Sequence, residues 1–245
     1  MRVILAVGQR AGHSMAVRFL PAGDRGLVVE FENVVSLEVN ARVRALALAL
    51  ESARPAGLVE VVPTYRSLGI QFDPVATSPS VLRAEVETLL AGLNPAELPA
   101  PALVELPTVY GGEYGPDLPF VAAHAGLREA EVIRLHSGTT YRVYMIGFSA
   151  GFAYLGGLDE RLHVPRLPSP RTRTPKGSVA IGGSQTGAYP ADTPGGWRII
   201  GRTPVTLFDP RRDPPTPMRP GDLVRFVPIG EAEYLRMAGE GQEGN

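Results

Sequence analysis

SVAIGGSQTGAYPADTPGGWRIIGRTPVTLF, residues 178–208, sets the fold class of the second half of the chain. Short apolar runs alternate with Gly, Pro and Asp, too closely spaced for helices and well spaced for strands joined by tight turns. The runs YRVYMIGF (141–148) and DLVRFVPI (222–229) extend the pattern on either side. Many short strands with irregular loops predict a closed or nearly closed β-barrel over residues 108–235. Before the first of these runs, helices are predicted at Pro119–Ala125 and around Leu127–His136. The final residues, 236–245, read as a frayed tail.

Upstream, LNPAELPAPALVELP (93–107) carries four prolines and few turn-forming polar groups. It predicts a stiff, extended linker over 94–107 that leads into a strand. Residues 15–93 have a different rhythm. Strand-like runs at Met15–Leu20 and Leu27–Phe31 flank the turn PAGDRG. Val39, Val43, Leu46 and Leu50 then recur at helical spacing behind Asn33 or Ser36 as the cap. Leu58–Val62 and Ser67–Phe72 again read as strands. Ser80 would cap a helix bearing Val81, Leu82, Val86, Leu89 and Leu90. The order ββαββα predicts a small α+β domain with two helices on one face of a four-stranded sheet. Residues 1–14 read as a leader or an extra strand outside that domain.

Composition narrows the function classes. The chain has 245 residues, 44% of them hydrophobic and 20% charged, which is enough to bury a sizeable core. Its 28 glycines and 24 prolines disfavour a helical bundle. A formal charge of −1 gives no electrostatic footprint for nucleic acid or an anionic membrane. No apolar run nears the roughly 18 residues of a membrane span. The absence of cysteine excludes disulfides, thiolate metal sites and a cysteine nucleophile, and fits a cytoplasmic protein.

Gly147-Phe148-Ser149-Ala150-Gly151 has the form G-x-S-x-G, the turn that exposes a nucleophilic serine between a strand and a helix. A strand is predicted before it, but Gly156-Gly157 arrives before any helix is established. The remaining triad members would have to be Asp159 and His163, too close in sequence to form separate arms. The motif therefore reads as a glycine-shaped loop. The four histidines, at 13, 124, 136 and 163, show no metal-ligand spacing, so no metal site is expected. No phosphate-cradling motif precedes a helix, so no ATP motif lies in this chain.

Polar groups concentrate in residues 165–204. Arg166, Arg171, Arg173, Lys176, Arg198 and Arg202 alternate there with Gln185, Tyr189 and Trp197, and Lys176 is the sole lysine. Guanidinium groups beside an aromatic platform suit a carboxylate, carbamate or phosphate.

The stretches VYGGEYGPDLPFVA (109–122), HSGTTYRVYMIGFSAGFAYLGGLD (136–159) and GSVAIGGSQTGAYPADTPGGWRIIGRTP (177–204) resemble the signatures of the KipI/PxpB family, also labelled allophanate hydrolase subunit 1. The GD of PAGDRG, Asn40 and VPTYRSLGIQFDP (62–74) fit as well, so the resemblance runs from Met15 to about Ile229. Ala150 departs from the family's usual proline, and Lys176 stands where a small residue is common. The resemblance implies a small α+β domain followed by an all-β, cyclophilin-like barrel related to the carboxyltransferase part of urea carboxylase. It also implies the B subunit of an ATP-dependent 5-oxoprolinase, inactive alone and working with the A and C subunits, with ATP used at the level of the complex. The alternative it implies is a regulatory protein that inhibits a sensor histidine kinase. On the enzymatic reading, His136, Tyr154, Gln185, Tyr189, Trp197 and Arg198 line a substrate- or partner-binding surface at the barrel mouth. No catalytic residue is assigned.

Overall fold

A computed structural model describes residues 17–243, so the reading of residues 1–14 as leader or strand lies outside the described residues. The chain divides into two compact units at Asn94/Pro95.

In the first unit, β1 (Arg18–Pro21), β2 (Gly26–Glu30), β3 (Leu58–Pro63) and β4 (Ser67–Phe72) form an antiparallel sheet in the order β1-β2-β4-β3. The helix α1 (Leu37–Ala53) falls between β2 and β3, and α2 (Pro79–Ala91) follows β4. Alternation decides which face is buried. Leu27 and Val29 of β2, with Leu68, Ile70 and Phe72 of β4, share a core with Val39, Val43, Leu46 and Leu50 of α1 and Leu82 and Val86 of α2. Ser36 caps α1 by accepting the Val39 N–H at 3.1 Å. The cap of α2 is Ser78 rather than Ser80, because Pro79 occupies the first helical position, where its missing N–H costs nothing.

The second unit is a closed barrel in the order β10-β7-β6-β13-β5-β12-β9. Its strands are β5 (Leu103–Tyr110), β6 (Tyr141–Ile146), β7 (Ala153–Gly156), β9 (Ser178–Gly182), β10 (Gln185–Ala188), β12 (Arg198–Arg202) and β13 (Leu223–Pro228). A separate two-stranded ribbon pairs β8 (Arg171–Thr174) with β11 (Thr193–Gly195). Within the barrel β5 and β13 run parallel and the other named pairs antiparallel. Residues 103–107, read from sequence as linker, belong to β5, where Val104, Leu106 and Phe226 of β13 enter the core. Two helices, α3 (Leu118–Ala125) and α4 (Glu129–Ser137), contribute Val121, Ala122, Val132 and Leu135 to that core.

Residues 236–243 of the segment read as a frayed tail are helical instead. α5 spans Glu231–Glu243 and is anchored at its start by Tyr234, whose ring lies 4.9 Å from that of Tyr114. Among the described residues no helix is long and apolar enough to cross a membrane.

Candidate functional site

The outer face of β7, β9, β10 and β12 carries an aromatic cluster that the strand period creates. In β7, Ala153 and Leu155 point into the barrel core, while Tyr154 points out with Phe152, which precedes the strand. Val179 and Ile181 of β9 likewise point inward and Ala180 outward. Phe152 is the hub. Its ring meets Tyr154, Tyr189 and Trp197 edge-to-face at 5.1, 5.3 and 5.5 Å. Two glycines make room for Trp197: a Cβ on Gly182 would sit 2.4 Å from the indole, and one on Gly187 3.5 Å from it.

Four of the six residues predicted from sequence meet here. Tyr189 and Trp197, 3% and 6% exposed, form the floor. Tyr154 and Gln185 are half-buried, and Gln185 lies opposite Gly182 in the β9–β10 ladder, on the same face. Burial pushes the Tyr189 phenol up, against a hydrogen bond with the Trp197 main chain and the charges of Arg166 and Arg171. Arg166 is exposed and stands over the Trp197 ring at 5.8 Å.

The other two predicted residues are elsewhere. His136 is wholly buried in the barrel core, reached from the end of α4, and does not line a surface. Its Nε2 lies 2.8 Å from Thr186 Oγ1 and its Nδ1 2.8 Å from the Tyr110 hydroxyl. Thr186 gives its single hydroxyl proton to the Ala180 carbonyl at 3.0 Å. The imidazole must therefore donate from Nε2 and accept from Tyr110 at Nδ1. Burial lowers its pKa to about 3, so it is a neutral structural bridge between β5 and β10.

Arg198 is consumed by packing. Its guanidinium lies 3.6 Å from the centroid of the Phe120 ring, its Nε donates to the Pro165 carbonyl, and its side chain is 11% exposed. It flanks an ion pair that sequence reading missed. Asp117 accepts two hydrogen bonds from Arg171 Nη2 at 2.8 Å and one from the Ile199 N–H at 2.7 Å. Arg171 in turn donates to the Trp197 carbonyl at 3.2 Å, so this pair fixes the platform from below. Nothing in the local sequence marks Asp117, since its partners are distant in the chain.

The G-x-S-x-G stretch forms the turn between β6 and β7. The Ser149 N–H donates to the Gly147 carbonyl and the Phe152 N–H to the Ser149 carbonyl. The Ser149 hydroxyl is buried without a hydrogen-bond partner, and a strand rather than a helix follows. Among the described residues no base bonds it, and without the strand-to-helix form this turn is not a nucleophile elbow. Its notable residue is Phe148, which sits at φ 66° and is 63% exposed beside Phe152, 5.5 Å away. The motif points to the serine; the exposed group that the turn presents is the phenylalanine.

Among the described residues no group of three or more His, Cys, Asp or Glu gathers as a metal site. A separate open cavity of about 570 Å³ lies between residues 109–114 and the start of α5, where the Tyr114 hydroxyl donates to Glu231 at 3.0 Å. None of the six predicted residues lines it.

Residues 17–218 match the family model of the carboxyltransferase domain, subdomain C and D. The chain is 44% identical to the 5-oxoprolinase B subunit of Escherichia coli O157:H7, over 85% of its own length and 94% of that protein's. It is 40% identical to the 5-oxoprolinase B subunit of Bacillus subtilis, covering 86% of this chain and 92% of the relative. The crystal structure of TTHA0988 superposes with a TM-score of 0.74 at 42% identity; 84% of this chain corresponds to 40% of that one.

Proposed function

The chain belongs to the family of the carboxyltransferase domain, subdomain C and D, and from that membership we propose that it is the B subunit of an ATP-dependent 5-oxoprolinase. Together with the A and C subunits it would open 5-oxo-L-proline to L-glutamate in the cytoplasm. The observation that carries this reading is the identity to proteins named as the B subunit of 5-oxoprolinase along nearly their whole length. The chemistry gives a reason for ATP. A lactam carbonyl is a stabilised amide, and phosphoryl transfer to its oxygen would make the carbon electrophilic and supply a leaving group.

This chain's proposed part is to present the aromatic face. Exposed Phe148 and Arg166 stand above a floor of Phe152, Tyr189 and Trp197, with Tyr154 half-buried beside them. Aromatic and arginine side chains on a rigid floor are the composition of a binding hot spot. The face would dock a companion subunit and thereby complete the substrate site.

The test is to co-express the chain with the A and C subunits and measure ATP-dependent glutamate release from 5-oxoproline, omitting each component in turn. Activity is expected only when all are present. An assembled complex that releases no glutamate would refute the reading and favour the kinase-regulating role.

A further inference from the structure

Arg202 closes β12 in an unusual electrostatic position. Its guanidinium lies over the Tyr114 ring, 5.6 Å from the centroid, yet among the described residues it forms no ion pair. Its Nε is shut from solvent and has no hydrogen-bond partner. The antiparallel ladder sets Arg202 opposite Ser178 of β9, so the two side chains leave the same face. Ser178 is 0% exposed, and its hydroxyl also lacks a partner. On the other side Arg202 faces Val109, which offers no side-chain acceptor. Two adjacent polar groups are thus desolvated with nothing to bond.

The turn before β9 adds positive charge. Gly177 has φ 79°, and a Cβ there would lie 2.3 Å from the Thr203 carbonyl oxygen and 3.3 Å from Arg202 Cγ. Glycine therefore lets the turn close onto the Arg202 stem, with Lys176 the preceding residue of that turn. Two carboxylates stand near: Glu231 accepts from the hydroxyl of Tyr114, whose ring Arg202 covers, and the other is Asp192. It accepts the Lys176 main-chain N–H and the Arg173 Nε, each at 2.7 Å. Those two bonds, with the charges of Arg173 and Arg202, hold its carboxyl below the ordinary range. The Lys176 ammonium is exposed and has no partner among the described residues. Arg173 is neutralised by Asp192, whereas Arg202 and Lys176 form no ion pair among the described residues.

An unpaired guanidinium held partly out of water is destabilising unless an anion joins it. Its fork of donors matches carboxylate and phosphate oxygens. We propose that Arg202 and Lys176 form an oxyanion-binding site at the β9–β12 ladder, backed by the buried Ser178, which takes the carboxylate or phosphate group of a small ligand. Ser178 lies two residues along β9 from Ala180, which packs in the aromatic cluster, so the site is continuous with that face. The site depends on this geometry alone and would stand without the 5-oxoprolinase reading.

The test titrates the ¹⁵N-labelled full chain with sodium phosphate and with sodium acetate, each against sodium chloride at equal ionic strength. The Arg202 side-chain N–H and the amides of Lys176, Gly177 and Ser178 report binding. Saturable shifts are expected with phosphate, acetate or both, and the oxyanion that saturates identifies the ligand's anionic group. The affinity should fall at least about tenfold in Arg202→Gln and about threefold in Lys176→Gln. Shifts matched by chloride, or retained in both Gln variants, would overturn the proposal. Lys176 is exposed, so its variant decides the matter if Arg202→Gln does not fold.

Discussion

His136 stays neutral in the folded chain because burial takes its pKa from 6.5 to about 3. Unfolding returns the imidazole to water, where it binds a proton near its ordinary pKa. Between these values the unfolded chain holds more protons than the native one, so stability rises with pH. The contribution is complete above about 6.5 and is lost as pH falls towards 3. The slope from this residue is roughly 1.4 kcal/mol per pH unit. His136→Gln keeps a group able to bond Thr186 and Tyr110 but cannot titrate. Denaturant midpoints measured from pH 7.5 to 4.5 should therefore fall more steeply for the wild type than for the variant. Parallel curves would show that His136 takes up its proton without unfolding. The same residue shows where sequence reading stops. A histidine at a helix end before SGTTY reads as a capping or hydrogen-bonding group, but which groups it bonds is not legible, because Thr186 and Tyr110 are brought to it by barrel closure. Tyr154, Tyr189 and Trp197 meet because strand alternation turns them outward, with Gln185 on the same face, but in the sequence it is the family resemblance that marks them.

The β6–β7 hairpin presents Phe148 in the left-handed backbone region, at φ 66°. A bulky residue costs about 1 kcal/mol there relative to glycine. With its side chain largely exposed, little burial offsets that cost beyond the edge-to-face contact with Phe152. Phe148→Gly should consequently leave thermal stability within about 1 kcal/mol of the wild type, either way. If the aromatic face docks a companion subunit, the same change should weaken assembly at least about tenfold, as removal of a central aromatic anchor does. Sedimentation or calorimetric titration of the reconstituted complex, alongside a melting curve of the chain, measures both outcomes. Assembly at unchanged affinity would remove Phe148 from the interface. Elements themselves were largely legible: both helices of the first unit and the strand-rich character of the second follow from hydrophobic spacing. The ends were not. Residues 103–107 pair with β13 across more than a hundred intervening residues, and that non-local ladder overrides the extended-linker character of a proline-rich segment. The start of α5 is held by Tyr114, equally remote in sequence.

At the scale of the whole molecule, the division at Asn94/Pro95 separates two hydrophobic cores with no residue in common. Each core draws only on its own unit: Leu46, Val29 and Phe72 in the first, Leu106, Leu135 and Phe226 in the second. A smaller domain buries a smaller fraction of its surface and is the less stable of such a pair. Heating the intact chain should therefore give two calorimetric transitions, the lower from the first unit. Leu46 is fully buried, and Leu46→Ala empties volume that its neighbours cannot refill, at a cost of about 2–5 kcal/mol. That variant should lower the first transition and leave the second in place. Residues 95–245 expressed alone should melt at the upper transition of the full chain and retain the shifts of the Arg202 site on titration with phosphate or acetate. If Leu46→Ala moves both transitions together, the units unfold as one, and the barrel's stability depends on the preceding sheet even though no core residue is shared.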